Sequence, residues 1–422
     1  MNPTIKARIE SIRRGEVPEG YKRTKIGIVP KEWCEERLKH YFKRLTRKNS
    51  EKNQNVLTIS AQYGLIGQED FFNKSVASED KSNYFLLKKG DFAYNKSYSN
   101  GYPYGAIKRL DYYEKGIVSP LYICLESLQE NTSDYFAQYF EAGLLNKEIH
   151  AVAQEGARNH GLLNIAVEDF FNTRIVVPKV PEQEKIAEIL AVQDRVIALK
   201  EELLAEKQKQ KKYLMQQLLT GKKRLPGFSG EWIVSRLGDL FRERVETNCA
   251  NLRLLAITSG QGVIPRDELE LKDNSSEDKS KYKKICVGDI GYNTMRMWQG
   301  VSAFSNYEGI VSPAYTILVP NLKIDAKFFA YQFKLSSIIF LFYRYSQGLV
   351  DDTRNLKYEN LKRIRVLFPQ DKKEQTAIAE ILCTADKEIE LLKKDIGQEK
   401  LKKKSLMQLL LTGIVRVDEL VS

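Results

Sequence analysis

Side chains suited to specific hydrogen bonding are concentrated where two otherwise similar halves of this sequence differ. The segments KSYSNGYPYGAIKRLDYYEK (96–115) and TMRMWQGVSAFSNYE (294–308) are both rich in aromatic, amide and basic residues. A second pair, QEGARNHGLLN (154–164) and SQGLVDDTRNLKYEN (346–360), consists of short glycine-containing segments with Arg and Asn. Variable loops on a common framework are typical of recognition modules, because loops provide specificity and frameworks provide packing. Neutral drift of the loops is the alternative.

Residue patterns that would support catalysis are scarce. The three histidines, His40, His150 and His160, are not paired at metal-ligand spacing. The sequence has no GxGxxG after a strand-like run, no GxxxxGK[ST] and no GxSxG. The repeated phrase SEDKS (78–82 and 276–280) contains a Glu-x-Lys pattern that suggests a nuclease, but a solvated turn is the better interpretation. Nothing in the sequence argues for an enzyme.

The variable segments are positioned by a framework that the sequence contains twice. GIVSPLY (116–122) recurs as GIVSPAY (309–315), and several further phrases recur in the same order. The offset between the copies is 198 residues through KKGDFAYN and CVGDIGYN, and 193 at GIVSP, so the change in length falls inside the first variable segment. Ordered self-similarity with so long a period indicates a tandem duplication. In each GD pair, Asp91 or Asp289 is predicted to cap backbone amides in a turn.

Length and charge limit the class of protein. A chain of 422 residues is too long for one ordinary core, so two or more domains are expected. The formal net charge of +12 favours a polyanionic partner, with a solvated basic surface as the alternative. Five scattered cysteines without a CxxC pair predict reduced thiols in a cytoplasmic protein. The sequence contains neither a signal-peptide core nor an apolar run long enough for a membrane span.

Each half is predicted to contain an α+β domain followed by one long helix, which gives a mixed α/β fold class. Strand-like runs such as VLTIS and TRIVVP alternate with helical patches in the front part of each half. In the back part, apolar residues recur at steps of four and three, which indicates a heptad seam with polar interruptions. Because globular domains intervene, the two helices are predicted to pair as an antiparallel coiled coil. The predicted seam residues are Ile186, Leu190, Ile197, Leu204, Leu214, Leu218, Ile378, Leu382, Ile389, Leu392, Ile396, Leu406 and Leu410.

The order of these motifs resembles that of the specificity subunits of type I restriction-modification systems. Each half begins near TKIGIVPKEW or LPGFSGEW, continues with GD..YN and GIVSP.Y, and ends with EQ..IAEIL and LMQ.LLTG. The resemblance covers residues 21–416. It implies target-recognition domains at 21–180 and 225–370, and spacer helices at 181–224 and 371–416. The residues before them, 1–20, are predicted from their own pattern to be an N-terminal amphipathic segment.

The resemblance implies a function in DNA recognition. Each domain would recognise one half of a bipartite double-stranded DNA target. The helix pair would set the spacer and bind two adenine-methylating modification subunits, and the full complex would add ATP-dependent restriction subunits. The chain itself would be non-catalytic and would hold no cofactor or metal, because the methyl donor, the ATP and the nuclease site would lie in the partners.

Candidate DNA contacts follow from the chemistry of base recognition. Basic side chains bind phosphates, while bidentate Arg or Lys contacts to guanine and Asn or Gln contacts to adenine select sequence. Trp298 is a candidate to stack on a base, with a buried core position as the alternative. The candidate DNA-binding residues are Lys96, Tyr98, Asn100, Arg158, Asn159, His160, Arg296, Trp298, Gln299, Gln347, Arg354 and Asn355.

Two other functions stay open on the sequence. One is a scaffold whose coiled coil joins two protein-binding domains, and the other is a nuclease that uses Glu79 and Glu277 of the SEDKS turns. The N-terminal segment, with Ile5, Ile9 and Ile12 on one face, is predicted to pack near the C-terminal helix.

Overall fold

The computed structural model describes residues 3–69, 80–153, 163–258, 260, 262–269 and 276–421, apart from the side chains of residues 130, 352, 420 and 421. The chain divides into two compact units. The first unit contains residues 1–199 and 396–422, and the second contains residues 200–395. Both divisions fall inside a long helix, so each unit combines an α+β domain with parts of two long helices.

The helices differ widely in length. The two long ones have 39 residues each, whereas those inside the α+β domains have ten or fewer. The helices are α1 (Pro3–Arg13), α2 (Ser133–Glu141), α3 (Asn146–Val152), α4 (Val167–Phe171), α5 (Val180–Leu218), α6 (Leu237–Leu240), α7 (Ala326–Gln332), α8 (Ser336–Tyr345), α9 (Tyr358–Leu361), α10 (Lys372–Leu410) and α11 (Asp418–Val421).

In the first unit, a four-stranded antiparallel sheet has the order β4-β11-β8-β9. The pairs β1-β2, β3-β12, β5-β6 and β7-β10 surround it, and all are antiparallel. The strands are β1 (Tyr21–Arg23), β2 (Ile28–Pro30), β3 (Cys34–Arg37), β4 (Phe42–Arg44), β5 (Leu57–Ser60), β6 (Gly64–Gly67), β7 (Phe85–Lys88), β8 (Phe92–Asn95), β9 (Ala106–Arg109), β10 (Lys115–Val118), β11 (Ile123–Ser127) and β12 (Arg174–Val177).

The second unit repeats the four-stranded sheet and three of the four strand pairs. Its four-stranded sheet has the order β14-β21-β18-β19, and the pairs β13-β22, β15-β16 and β17-β20 correspond to those of the first unit. The strands are β13 (Trp232–Arg236), β14 (Phe241–Arg244), β15 (Leu255–Thr258), β16 (Gly262–Pro265), β17 (Lys283–Ile285), β18 (Ile290–Asn293), β19 (Ser302–Phe304), β20 (Gly309–Val311), β21 (Tyr315–Pro320) and β22 (Arg365–Pro369). The tandem duplication inferred from sequence is therefore present in the fold.

Aromatic residues of one short helix form much of each core. In α2, the fully buried Phe136 packs edge-to-face on Phe42 of the sheet, with ring centroids 4.9 Å apart. In α7, the buried Phe329 contacts Phe241 in the same way at 5.4 Å. Complete burial of such a side chain contributes on the order of 2 kcal/mol. These helices are thereby fixed against the four-stranded sheet of each unit.

The Gln of each EQ motif closes the junction between a domain and a long helix. Gln183 Nε2 donates a hydrogen bond to the carbonyl oxygen of Pro178 at 2.9 Å, and Gln375 Nε2 donates to Pro369 at 2.8 Å. Both glutamines are fully buried. The junction is therefore the same in the two copies.

The Glu of each EQ motif accepts a bidentate contact from an arginine that follows the other long helix. In the first unit, Arg416 lies 2.7 and 2.9 Å from the carboxylate of Glu182. In the second, Arg224 lies 2.6 and 2.7 Å from that of Glu374. Fork-to-fork pairs of this kind fix geometry as well as adding energy. The duplication thus preserves a pair of reciprocal ion pairs.

The long helices run antiparallel within each unit. In the first unit, Asp194 contacts Lys403 at 2.6 Å, while Glu182 contacts the more distal Arg416. Gln193, a buried polar seam position, donates to Glu399 Oε2 at 2.7 Å. Rising residue numbers in α5 therefore meet falling numbers in α10, and a polar interruption of the seam forms a cross-helix pair.

In the second unit the two long helices are also antiparallel, and ion pairs join them at the polar seam positions. Lys200 contacts Asp395 and Lys207 contacts Glu388, each at 2.8 Å, and Lys211 contacts Asp386. Across both units, nine of the predicted apolar seam residues are buried and the other four are half-buried. The half-buried ones are Leu204, Leu214, Leu392 and Leu406. The predicted α/β class with paired antiparallel helices is confirmed.

The N-terminal helix packs against the end of the chain within the first unit. Arg8 donates to the carbonyl oxygen of Ile414 at 2.8 Å and to both carboxylate oxygens of Glu419 at 2.7 and 2.8 Å. Tyr21 Oη donates to the carbonyl oxygen of Gly413 at 2.7 Å. The hydrogen bond from Arg8 lowers the pKa of the Glu419 carboxyl. The predicted packing of the N-terminal segment near the C-terminal helix is present.

Each GD motif forms a capped turn. Asp91 accepts a hydrogen bond from the backbone N–H of Lys88 at 2.7 Å, and Asp289 accepts one from Cys286 at 2.8 Å. Arg244 also contacts both carboxylate oxygens of Asp289, at 2.9 and 3.1 Å. Because these buried carboxylates have local structural partners, they serve the turn before β8 or β18, as the sequence predicted.

Candidate nucleic-acid interface

The two variable segments of each unit are joined by a main-chain hydrogen bond. In the first unit, Leu163 N–H donates to the carbonyl oxygen of Lys96 at 3.0 Å. In the second, Leu356 N–H donates to that of Thr294 at 2.8 Å. Lys96 and Thr294 are the first residues after the YN motif in their respective copies. Segments that are about 60 residues apart along the chain therefore meet at one edge of each domain.

The Asn of each YN motif sets the course of the first variable loop. Asn95 Oδ1 accepts a hydrogen bond from Ser97 N–H at 3.1 Å, and Asn293 Oδ1 accepts one from Met295 N–H at 2.9 Å. This contact to the backbone two residues on is an Asx turn, for which Asn is well suited. It turns the chain away from the central strand, β8 or β18, and so begins the loop.

The first-unit loop presents its candidate residues at a tight reversal. Ser99 and Tyr102 exchange backbone hydrogen bonds of 2.8 and 3.3 Å, so Asn100 lies at the tip and is exposed. Tyr98 is 63 % exposed, and Lys96 is half-buried. The structure thus brings these three candidates together on one loop. The remaining candidates, Arg158, Asn159 and His160, lie outside the described residues.

The second-unit loop contains a short 3₁₀ turn, Met297–Gln299, with alternating burial. Met297 is fully buried, whereas the candidates Arg296 and Gln299 are exposed and Trp298 is half-buried. Trp298 Nε1 donates to the carbonyl oxygen of Met295 at 2.9 Å. The core position of this turn therefore belongs to Met297, and the indole ring of Trp298 lies at the surface of the loop.

An aromatic residue of α8 links two of the second-unit candidates. The Tyr343 ring lies edge-on to Trp298 with centroids 6.3 Å apart, and the Arg354 guanidinium lies 4.0 Å above the Tyr343 ring. Arg354 also contacts Tyr343 Oη at 2.8 Å and Asp351 Oδ1 at 2.9 Å. Stacking of this kind holds a guanidinium in one plane. Tyr343 is not among the residues predicted from the sequence, because its only signal is an aromatic at an outward position of the helix.

Gln347 and Asn355 are paired across the second variable segment of the second unit. Each donates its backbone N–H to the carbonyl oxygen of the other at 2.8 Å. The Gln347 side chain is exposed. Asn355 Nδ2 donates to the carbonyl oxygen of Thr353 at 3.3 Å, and its Oδ1 is buried without a partner among the described residues. Gln347 is therefore available for a ligand, whereas Asn355 is held by its own loop.

A half-buried acid supports the first-unit loop from α2. Tyr102 Oη donates to Glu141 Oε1 at 2.6 Å, and Lys108 contacts both Glu141 and Tyr102 Oη. Burial and the adjacent Glu141 carboxylate raise the pKa of Tyr102, so its hydroxyl remains a donor. Glu141 therefore anchors the loop through a side chain.

A lysine supports the second-unit loop from the corresponding position after α7. Lys334 Nζ donates to the carbonyl oxygens of Gly300 at 2.7 Å and Ser302 at 2.5 Å. Burial lowers the pKa of Lys334 to about 8, and the positive charge of Lys211 acts in the same direction. Neither Glu141 nor Lys334 was identified from the sequence, where they are single charged residues beside an apolar run.

The SEDKS repeats form local turns where the structure describes them. Asp80 Oδ1 accepts from Ser82 N–H at 2.9 Å, and Asp278 Oδ1 accepts from Ser280 N–H at 2.8 Å. Glu277 is exposed, and Glu79 lies outside the described residues. Over the described part of the chain, no group of three or more His, Cys, Asp or Glu residues is arranged to hold a metal ion. Within that part, no helix is both long and apolar enough to cross a membrane.

Comparison with known proteins relates this architecture to one family. Residues 30–208 match the family described as the type I restriction modification DNA specificity domain. The fold is similar to that of the type I restriction-modification system S subunit from M. genitalium, with a TM-score of 0.52 and 15 % identity over 90 % of this chain and 96 % of that one. It is also similar to a chain of a type I R-M system solved to explain complex assembly and conformational transition, with a TM-score of 0.55 and 15 % identity over 92 % and 99 %. Residues 30–208 therefore carry the sequence pattern of that family, and the likeness to the two solved structures is one of fold.

Proposed function

We propose that this chain is the sequence-specific DNA-binding subunit of a type I restriction-modification complex and is not itself an enzyme. In this proposal, residues 21–180 and 225–370 are target-recognition domains, and each recognises one half of a bipartite duplex target. The methyl donor, the ATP and the cleavage site belong to partner subunits, and the chain needs no cofactor of its own. A cytoplasmic location follows from a partner of this kind.

One observation carries the proposal: each copy of the duplicated framework joins two divergent loops at one edge of a domain. The loops meet through equivalent backbone hydrogen bonds, from Leu163 to Lys96 and from Leu356 to Thr294. The loop segments themselves, 96–115 and 154–164 against 294–308 and 346–360, differ between the copies in both length and side chains. A protein that recognises two different half-sites needs this combination of a constant scaffold and variable contact residues.

The exposed side chains suit the recognition of base edges. Asn100, Gln299 and Gln347 are amides at loop surfaces, and Arg296 is an exposed guanidinium. Amides pair with adenine and guanidinium groups with guanine in the major groove. We assign Trp298 a stacking role, because its indole is at the surface and is held by Tyr343. The contacts assigned to Arg158, Asn159 and His160 rest on the sequence.

The long helices provide docking surfaces for partner subunits. They display exposed apolar side chains, which are typical of sites for protein association. We propose that two modification subunits bind along these helices, and that restriction subunits join them in the full complex. The exposed residues are Val192, Leu199, Leu203, Tyr213, Leu391 and Leu401.

Exchange of one recognition domain tests the proposal. Residues 21–180 are replaced by the corresponding domain of another specificity subunit, and adenine methylation is mapped at base resolution in cells that also express the modification subunits. The methylated site is expected to change in one half only, and the matched exchange of residues 225–370 is expected to change the other half. A change in both halves, or in neither, would contradict the model of two independent recognition domains.

A further inference from the structure

A concavity on the second unit gathers three arginines. It is lined by Arg236, Arg363 and Arg365 together with Leu341 and Tyr345 of α8. Arg236 and Arg365 are directly opposite each other in the β13-β22 ladder. All three arginines are exposed.

This arrangement is electrostatically unfavourable without a ligand. Like charges directly opposite in an antiparallel pair destabilise the sheet. Among the described residues, no carboxylate forms an ion pair with Arg236, Arg363 or Arg365. Other arginines of this unit do have such a partner, as Arg224 has Glu374 and Arg244 has Asp289. The cluster is therefore a site at which an anion would relieve repulsion.

The corresponding ladder of the first unit is balanced by acids. There, Arg37 is opposite Arg174 in the β3-β12 ladder. Arg174 lies 3.5 Å from a carboxylate oxygen of Glu35 and 3.8 Å from one of Glu148. Arg37 donates to the carbonyl oxygen of Asn172.

Compared with the first-unit ladder, the second-unit ladder lacks one acidic residue and has one additional basic residue. Two residues before Arg37 is Glu35, whereas two residues before Arg236 is Val234. Two residues before Arg174 is Asn172, whereas two residues before Arg365 is Arg363. At the same place in the framework, the first unit therefore has two arginines with acidic neighbours. The second unit has three arginines, and none of them has an acidic partner among the described residues.

We infer that the Arg236–Arg363–Arg365 cluster binds a backbone phosphate of duplex DNA. Guanidinium groups bind phosphate oxygens in a bidentate manner, and three of them on one concavity match a tetrahedral anion better than a planar carboxylate. Tyr345 lines the site and directly precedes the second variable segment, 346–360. A phosphate bound here would lie next to the bases contacted by that segment and would fix the register of the domain on the duplex. This inference rests on the proposed function.

The test compares two sets of substitutions in the full chain assembled with its modification subunits. The triple variant Arg236→Gln, Arg363→Gln, Arg365→Gln removes the cluster, and the double variant Arg37→Gln, Arg174→Gln removes the balanced pair of the first unit. Binding is measured across a salt titration with two probes, a duplex that contains the methylated target and a duplex of scrambled sequence. Thermal unfolding of each variant checks that the fold is retained.

The triple variant is expected to bind both duplexes about tenfold or more weakly at low salt, with an unchanged ratio between them. The slope of log affinity against log salt should fall by about one for each phosphate contact that is lost. The double variant should keep the wild-type slope.

Four other results would each contradict either the proposed function or the assignment of the cluster to a phosphate. If the wild-type complex shows no salt dependence, the proposed function fails before the cluster is tested. If the wild type is salt-dependent and the triple variant has the same slope, the phosphate site is refuted. Loss of binding to the target duplex alone would assign the cluster to base contacts. Release of the modification subunits with DNA binding intact would assign it to an acidic protein surface.

Discussion

The two units support their first variable loop from the same framework position with side chains of opposite charge. In the first unit, Glu141 follows Phe140 at the end of α2 and accepts a hydrogen bond from Tyr102 of the loop. In the second, Lys334 follows Phe333 after α7 and donates to the carbonyl oxygens of Gly300 and Ser302. Both aromatic neighbours are buried in their cores. The helix has therefore kept its packing while the supporting side chain has changed.

The charge of the supporting residue differs because the two loops present different hydrogen-bonding groups to the helix. The longer first-unit loop carries its own anchor, Tyr102, and a phenol hydroxyl needs an acceptor. The shorter second-unit loop turns its main-chain carbonyl oxygens towards the helix, and these need a donor because buried carbonyl groups are costly when unpaired. The conformation of a recognition loop and the identity of its supporting residue consequently depend on each other. Grafting a loop between copies would require the residue at 141 or 334 to be exchanged with it.

Charge reversal at the second-unit position is expected to have the largest effect. Lys334→Glu would place a carboxylate against the carbonyl oxygens of Gly300 and Ser302, with no donor between them. Because the side chain at 334 is half-buried and the new carboxylate would lie near Lys211, the cost should be about 3–4 kcal/mol, towards the lower end of the range for a buried charge without a partner. Unfolding in urea, followed by tryptophan fluorescence, should shift to lower denaturant concentration, and methylation should lose selectivity in one half-site only.

A neutral substitution provides the control for that reversal. Lys334→Met removes the donor but also removes the cost of burying the cation, so its effect should be smaller, roughly 1–2 kcal/mol. Equal losses for Lys334→Glu and Lys334→Met would show that the charge at this position is unimportant. Loss of selectivity in both half-sites would show that the loops are not supported independently.

A pair of glycines tests how tightly each loop is closed. Gly105 and Gly300 both have positive φ, +78° and +79°. A Cβ on Gly105 would lie 2.2 Å from the backbone oxygen of Asn95, whereas one on Gly300 would lie 2.8 Å from the flexible end of Ile339. Gly105→Ala is expected to cost roughly 3 kcal/mol and Gly300→Ala about 1–2 kcal/mol, since only the second clash can be relieved by a side-chain rotation.

Thermal unfolding of the two alanine variants provides the measurement, with Gly227→Ala as the reference. Gly227 has a similar φ of +86° but open space around its Cβ position, so it reports the backbone cost alone. If Gly300→Ala proved more damaging than Gly105→Ala, the contrast between a rigid and an adaptable loop closure would be wrong.

The sequence predicted the framework better than the site because periodicity and repetition are local signals. The heptad steps identified seam residues such as Leu190 and Leu382, both of which are fully buried. The polar interruptions at Lys200 and Lys207 looked like weak points of the seam, but each faces an acid of the other helix. That pairing depends on the antiparallel register of the two helices, which cannot be read from the sequence of either helix alone.

The loops show where sequence reasoning ends. A basic residue in a variable segment is a candidate contact, and this selected both Arg296 and Arg354. The structure separates them, because Arg296 is exposed while Arg354 is stacked on Tyr343 and bound to Asp351. Tyr343 belongs to a different element from Arg354, so no spacing rule connects them. Glu141 and Lys334 were missed for the same reason, since their partners are set by the course of a loop.

The smallest expected effect concerns the charge of the first-unit support. Glu141→Gln keeps an oxygen that accepts the hydrogen bond from Tyr102 but removes the ion pair with Lys108. Because the Glu141 side chain is 34 % exposed, the loss should be only about 1 kcal/mol. Methylation mapping should therefore show normal selectivity in both half-sites, whereas Glu141→Ala, which removes the acceptor, should weaken selectivity in the half-site of the first unit. Normal selectivity for both variants would mean that Tyr102 holds the loop without help from α2, and the parallel between Glu141 and Lys334 would then be one of position alone.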